Sequence, residues 1–283
     1  MAPPRLYGGL PYARPVVLRP KFREGDVDVI VSFLRHHFQQ SARKGVVLGM
    51  SGGVDSSLVA KLCADAIGPA KVLGLSLPER AGGADERDAQ GWAKTLGLRF
   101  RVQEIGPIVD AVARELRIRK TDRVGLGNVK ARARMVVWYQ VAHAEERLVI
   151  GSGNKSEIAL GYFTKMGDAG CDFLPIGDLY KTQVRAMARH LGIPRKILAK
   201  PPTAGLWPGQ TDEGELGIPY EALDRILLGI EIRLRAEEIA ERADVDVRTV
   251  RRIGRLVAAN VHKRKMPLIP KVGIRTFGLD WRE

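Results

Sequence analysis

Leu48-Gly-Met-Ser51-Gly52-Gly53-Val54-Asp55-Ser56-Ser57 is the stretch on which the fold turns. Just before it, Gly45-Val-Val-Leu-Gly-Met50 is a short apolar run, the pattern of a buried strand. After it, residues 56–67 space their apolar side chains as a helix does, until Gly68-Pro69 stops them. A strand, a turn with adjacent glycines and a helix aim successive backbone N–H groups into one concavity, at the positive end of the helix. That arrangement binds phosphate. It is not the Walker loop, because no Lys-Ser/Thr follows the glycines. The turn also carries an acid. A carboxylate beside phosphates is repulsive unless a cation lies between them, so Asp55 predicts Mg²⁺ shared with the phosphates. An ordinary glycine-rich turn with a serine cap is the competing explanation; the matching strand–turn–helix context argues against it.

Working outward, the alternation continues. Residues 71–77, 98–103 and 148–151 predict strands, and residues 85–96, 107–116 and 130–145 predict helices. A helix over 26–40 precedes the first strand. Strands alternating with helices require crossover connections. The expectation is an α/β fold with a doubly wound parallel sheet flanked by helices. After Gly151 the pattern weakens. Residues 180–191 and 220–259 predict helices, the latter a C-terminal helical extension. Residues 199–218 hold three prolines and four glycines, and a loop of that length is usually functional. Residues 1–25 carry five prolines and predict an extended arm. Residues 26–283 are expected to form one catalytic domain.

Composition narrows the function. The chain has 283 residues, 45% hydrophobic and 28% charged, which is enough to build a core. Lys+Arg 46 against Asp+Glu 32 leaves +14, a field that attracts anions of any kind. No apolar run has the length of a membrane span, and Met1 to Pro15 lacks the apolar stretch of a secretory signal. Two cysteines, Cys63 and Cys171, make neither a zinc cluster nor a disulfide framework. A cytoplasmic chain with reduced thiols and no membrane attachment is expected.

Several segments beyond the turn carry chemistry. Glu157 follows a strand end and opens a helix, in the crevice where parallel sheets hold ligands, so it can complete a Mg²⁺ shell begun by Asp55. The competing explanation is a glutamate favoured by the helix dipole. Lys181 lies on a basic amphipathic helix, and without further information a solvated face accounts for it.

Ser51-Gly-Gly-Val-Asp55-Ser56 resembles the signature of the PP-loop ATP pyrophosphatases. The second half narrows the resemblance. Asn128-Val-Lys-Ala-Arg132-Ala-Arg134, Gly151-Ser-Gly-Asn154-Lys-Ser-Glu157, Gly161-Tyr-Phe-Thr-Lys165-Met-Gly-Asp168, Pro175-Ile-Gly-Asp178-Leu-Tyr-Lys181, Gly209-Gln-Thr-Asp-Glu213 and Asn260-Val-His262-Lys263-Arg264 occur in that order. Together they closely resemble the ammonia-dependent NAD synthetases over residues 26–270. Ser152 replaces the usual threonine and keeps its hydroxyl; Met166 stands where an aromatic residue is common.

The resemblance implies that ATP and Mg²⁺ convert deamido-NAD and ammonia to NAD, AMP and pyrophosphate through an adenylated intermediate. It implies catalytic roles for Asp55, Lys181 and Glu157, with Asp55 and Glu157 holding the metal. It implies ATP contacts from Gly49, Met50, Ser51, Gly52, Gly53, Val54, Asp55, Ser56, Ser152, Lys181 and Thr203. Arg132, Lys165, Asp172, His262 and Lys263 match positions that bind deamido-NAD. A homodimer is implied, with substrate across the interface. A 25-residue arm is too short for a glutamine-using domain, so ammonia is expected from solution or a partner.

Two rivals compete. Residues 236–256 read as a helix-turn-helix, with Arg248, Arg251, Arg252 and Arg255 on the second helix, which would suit a DNA-binding protein. Such a protein has no use for the glycine turn, and no specific nucleic-acid partner is expected. A PP-loop tRNA-modifying enzyme resembles the chain only at residues 48–57, and its sulfur-transferring members often need paired catalytic cysteines, which the sequence lacks.

Overall fold

The computed structural model describes residues 18–265 and 267–273. Most of the expected arm, residues 1–17, lies outside the described residues. Its end does not stand apart: Leu18 is 1% exposed, and the Lys21 carbonyl accepts from Gln183 Nε2 at 3.0 Å.

The chain then alternates. In order come α1 (Gly25–Gln40), β1 (Gly45–Gly49), α2 (Val54–Ile67), β2 (Val72–Ser76), α3 (Ala84–Leu96), β3 (Arg99–Val102), α4 (Gly106–Glu115), α5 (Arg123–Ala144) and β4 (Arg147–Ile150). All four strands are parallel, in the order β3-β2-β1-β4. Strands β1 and β2 are central and apolar; β3, an edge, is mostly exposed. Val46 and Leu48 point to one face, against Leu34 and Phe38 of α1, Leu58 and Leu62 of α2 and Met187. Val47 points to the other, with Leu73, Val109 of α4 and Ala133 and Ala142 of α5. This is the doubly wound sheet the alternation predicts.

The structure departs from the sequence expectation in several places. Helix α5 starts seven residues earlier than position 130, because the Asp122 side chain accepts from Gly125 N at 2.8 Å and caps it. Gly125 and Gly127 hide this start in a propensity reading. The sheet edge beyond β4 is extended by a parallel bridge between Ile150 and Phe173. Finally, residues 220–259 are not continuous helix.

After β4 the chain forms α6 (Lys155–Leu160), α7 (Lys181–His190), α8 (Arg195–Leu198), α9 (Asp212–Leu216), α10 (Tyr220–Glu231), α11 (Ala236–Ala243), α12 (Val247–Ala259) and α13 (Val261–Arg264). Arg233 and Asp244, in left-handed conformation, break the run into three helices. Helices α10, α11 and α12 bury a second core of Leu223, Ile226, Ile239, Val250 and Ile253, which also takes in Leu18 and Leu160. The expected long loop at 199–218 contains α9, capped by the Thr211 hydroxyl on Gly214 N.

Candidate active site

The sheet order fixes where a ligand can sit. From β1 the chain goes to β2 on one side, and β4 lies on the other. The loops after β1 and β4 therefore separate, leaving a crevice at the carboxyl ends of the strands. The phosphate turn leaves β1 there, and α6 starts there after β4.

The turn is built as a cradle. Gly52 takes φ +77°, and a Cβ on it would lie 2.3 Å from the Asp85 carbonyl oxygen, so only glycine fits beneath α3. Ser51 N donates to Ser56 Oγ at 3.2 Å, and Gly53 N donates to Ser51 Oγ at 3.3 Å. Gly53 is the N-cap of α2, with no side-chain cap, which leaves the positive helix end open. The serine cap of the competing explanation is absent. Met50 and Val54 are buried, and a Cβ on Gly49 would strike the Trp138 ring at 2.4 Å. These three positions can therefore offer a ligand their backbone only.

Asp55, Glu157 and Lys181 converge. The Lys181 ammonium pairs with Asp55 Oδ2 and lies 3.7 Å from Glu157 Oε1. Lys181 is only 2% exposed, and its Nζ sits 5.5 Å from the Tyr220 ring centroid. Burial works against its charge, but Asp55 and Glu157 prevail and hold the ammonium above the ordinary lysine value. Burial pushes the Glu157 carboxyl up, Lys181 opposes this, and Asp55 adds to it.

Neighbouring side chains hold these groups in place. Asn154 caps α6 in a reciprocal capping box with Glu157, and its Nδ2 donates to Asp55 Oδ1 at 3.0 Å. One asparagine thus ties the β4 loop to the β1 loop. Asp224, fully buried on α10, accepts from Ser156 Oγ at 2.5 Å and Thr182 N at 2.8 Å. Those donors flank Glu157 and Lys181 in sequence. Asp212 Oδ2 accepts from Tyr220 Oη at 3.1 Å, while buried Oδ1 has no hydrogen-bond partner.

Asn154 and Asp212 lie in quoted motifs but were given no role by the sequence reading, and Asp224 lies outside every quoted motif. The Asn-x-x-Glu spacing at 154–157 is a recognisable capping signal. Nothing local marks Asp224.

Other expected residues lie apart. Ser152 is half-buried between β4 and α6. Thr203 is exposed, and its hydroxyl accepts from Gly205 N at 3.0 Å. Arg132 Nη2 donates to the Lys165 carbonyl at 3.2 Å, which brings those two residues together. Lys263 Nζ is held by the Gly161 and Phe163 carbonyls at 2.7 and 3.0 Å, and His262 is exposed beside it. Asp172 Oδ2 accepts from Val149 N at 2.7 Å, on the sheet edge. Among the described residues, no hydrogen bond or ion pair joins these substrate candidates to the Asp55–Lys181 cluster.

Burial pushes both Cys63 and Cys171 thiols up to about 12, with Asp172 adding to the effect at Cys171, so neither is poised as a nucleophile. The helix-turn-helix segment is turned to internal use. Arg252 donates to the Leu216 carbonyl at 2.8 Å, and Arg251 pairs with Glu237 at 2.7 Å.

Comparisons with known proteins identify the family. The NAD synthase family pattern matches residues 26–267. The chain is 43% identical over 251 residues to the NH(3)-dependent NAD(+) synthetase of Pyrococcus furiosus, covering 88% of this chain and 97% of that one. It is 46% identical over 248 residues to its namesake in Archaeoglobus fulgidus, covering 87% and 96%. Among solved structures, the NH3-dependent NAD synthetase of Campylobacter jejuni superposes with TM-score 0.75 at 32% identity, covering 88% of this chain and 98% of the other. The NMN synthetase of Francisella tularensis gives 0.77, also at 32% identity, covering 88% and 99%. With the family pattern running through both the sheet and the helices that complete the crevice, the chain belongs to the NAD synthase family.

Proposed function

We propose that this chain amidates deamido-NAD to NAD with ammonia, spending ATP to AMP and pyrophosphate. The observation that carries the reading is the buried Lys181 ammonium flanked by Asp55 and Glu157 at the foot of an uncapped helix N-terminus. ATP lies with its phosphates in the turn at 51–56. The nicotinate carboxylate oxygen attacks the α-phosphorus, and pyrophosphate leaves. Backbone N–H groups of the turn and the Lys181 ammonium meet the charge that grows on the departing group. Ammonia then attacks the acyl carbon, and the carboxylate oxygen departs with AMP. Adenylation is needed because a free carboxylate oxygen is a poor leaving group.

The donor set suits Mg²⁺. Asp55 and Glu157 are hard oxygen ligands around one point, and substrate phosphates would supply more. Among the described residues no three acidic, histidine or cysteine groups are arranged to hold a metal unaided. Bound there, it would neutralise phosphate charge. Arg132, Lys165, Asp172, His262 and Lys263 are proposed to bind the dinucleotide, and Ser152 and Thr203 the ATP.

A homodimer is also proposed. Val136 and Tyr139 are exposed three residues apart on α5, and Arg132 lies one turn before Val136 on the same face. That puts a substrate candidate beside the apolar surface. Sedimentation of the protein should give a dimer mass; a monomer at micromolar concentration would reject the arrangement. A cytoplasmic location is proposed as well; no helix of the described residues is long and apolar enough to cross a membrane.

The decisive assay supplies ATP, Mg²⁺, ammonium and deamido-NAD and follows NAD. Formation of NMN from its deamido counterpart is measured alongside. Faster NAD formation supports the reading, and preferential NMN formation would move the substrate to the mononucleotide.

A further inference from the structure

Lys200 opens the long segment that follows α8, and its side chain reaches back to the phosphate turn. Its Nζ donates to the Gly52 carbonyl at 3.1 Å and to Asp85 Oδ1 at 2.6 Å, and lies 2.7 Å from Asp88 Oδ2. The side chain is 23% exposed. Burial disfavours the charge, but Asp85 and Asp88 outweigh it and hold the ammonium above the usual lysine value. Asp85 and Asp88 lie in the first turns of α3, whose backbone rests directly over Gly52.

The contact falls on a consequential peptide. The Gly52 carbonyl and the Gly53 N–H belong to the same amide, so a cation on the oxygen polarises the N–H at the other end. Gly53 N donates to Ser51 Oγ at 3.3 Å, so polarising this amide tightens the turn that shapes the cradle. Gly52 also sits at φ +77°, where the carbonyl direction has no side chain to fix it. The rest of the segment is tied down separately: Lys130 Nζ donates to the Leu206 carbonyl at 2.9 Å and pairs with Glu79 at 2.5 Å.

We propose that Lys200 is a positioning residue for ATP: it orients and polarises the Gly52–Gly53 amide and registers the 199–218 segment against the phosphate turn. This rests on the assignment of the turn at 51–56 as the ATP phosphate site. The ammonium acts through the amide and touches neither substrate.

The test separates this role from plain cross-linking of α3 to the segment after α8. Full-length Lys200→Met, Lys200→Arg and Asp88→Asn proteins are compared with wild type. Binding of Mg²⁺ and a non-hydrolysable ATP analogue is measured by calorimetry, KM values for ATP and ammonium are determined, and Tm is recorded. Lys200→Met is expected to weaken analogue binding and raise KM for ATP about tenfold, with KM for ammonium unchanged. Lys200→Arg should recover most of the loss, because it restores a donor at Gly52. Asp88→Asn should lower Tm but leave ATP binding within about twofold. Equal ATP effects in Lys200→Met and Asp88→Asn would overturn the proposal, as would an unchanged ATP affinity in Lys200→Met while wild type binds the analogue. A wild-type protein that binds no ATP analogue would overturn both the underlying site assignment and the proposal.

Discussion

Asp55 is an acid placed where a phosphate-binding turn usually avoids one, and each of its oxygens has a different partner. Asn154 donates to Oδ1, and Lys181 pairs with Oδ2. Asp55→Asn keeps the shape but removes the charge that would meet a metal. It should cut turnover at least about a thousandfold while Tm stays within a few degrees. Steady-state rates across a Mg²⁺ titration check this, and a near-wild-type rate at limiting Mg²⁺ would remove Asp55 from the metal site. At this scale the sequence was legible where a residue was out of character locally, as Asp55 is between glycines and a helix. Glu157 was legible for the same reason, opening a helix after a strand. Their pairings were not, and Lys181 was given a site role only through the resemblance. Asn154 and Lys181 reach Asp55 from 99 and 126 residues away, and Lys200 reaches Gly52 from 148. No window of sequence contains such a pairing, so only the fold shows it.

Elements follow the same division. The strand–helix alternation could be read because central strands of a parallel sheet are continuous apolar runs and their helices are amphipathic. Start and stop positions were less legible, since caps and left-handed residues decide them. Helix α5 begins at an aspartate cap ahead of two glycines, and the run 220–259 breaks at two non-glycine residues. Arg233 at φ 59° is exposed, and most side chains disfavour that conformation. Arg233→Gly should therefore stabilise the protein by about 0.5–1 kcal/mol, measurable by urea unfolding. A loss of stability would mean that the arginine makes a compensating contact. Asp224 joins elements rather than ending one, because it anchors α6 and α7 to α10 through Ser156 and Thr182. Asp224→Ala strands one buried and one half-buried donor and should cost about 2–4 kcal/mol. Loss of less than about 0.5 kcal/mol in the same unfolding experiment would show that the network is dispensable.

At the scale of the whole molecule, charge and fold point to different conclusions, and fold prevails. A net charge of +14 and an arginine-rich helix invite a nucleic-acid function. The helices concerned instead bury a second core against α6 and α10, and two of the arginines are spent on internal partners. Binding to DNA should thus be weak, independent of sequence and steeply salt-dependent. Fluorescence anisotropy with unrelated duplexes at rising salt tests this, and tight binding to one sequence at physiological salt would revive the DNA-binding reading.

The central claim is that the phosphate turn and its Asp55–Lys181–Glu157 cluster support adenylation of a carboxylate. Deamido-NAD carrying ¹⁸O in its nicotinate carboxylate tests it most directly. With ATP, Mg²⁺ and ammonium, one label should appear in the phosphate of AMP, and omitting ammonium should leave adenylated dinucleotide bound with little free AMP. Label in orthophosphate, with ADP as the nucleotide product, would contradict the account and indicate an acyl-phosphate route instead.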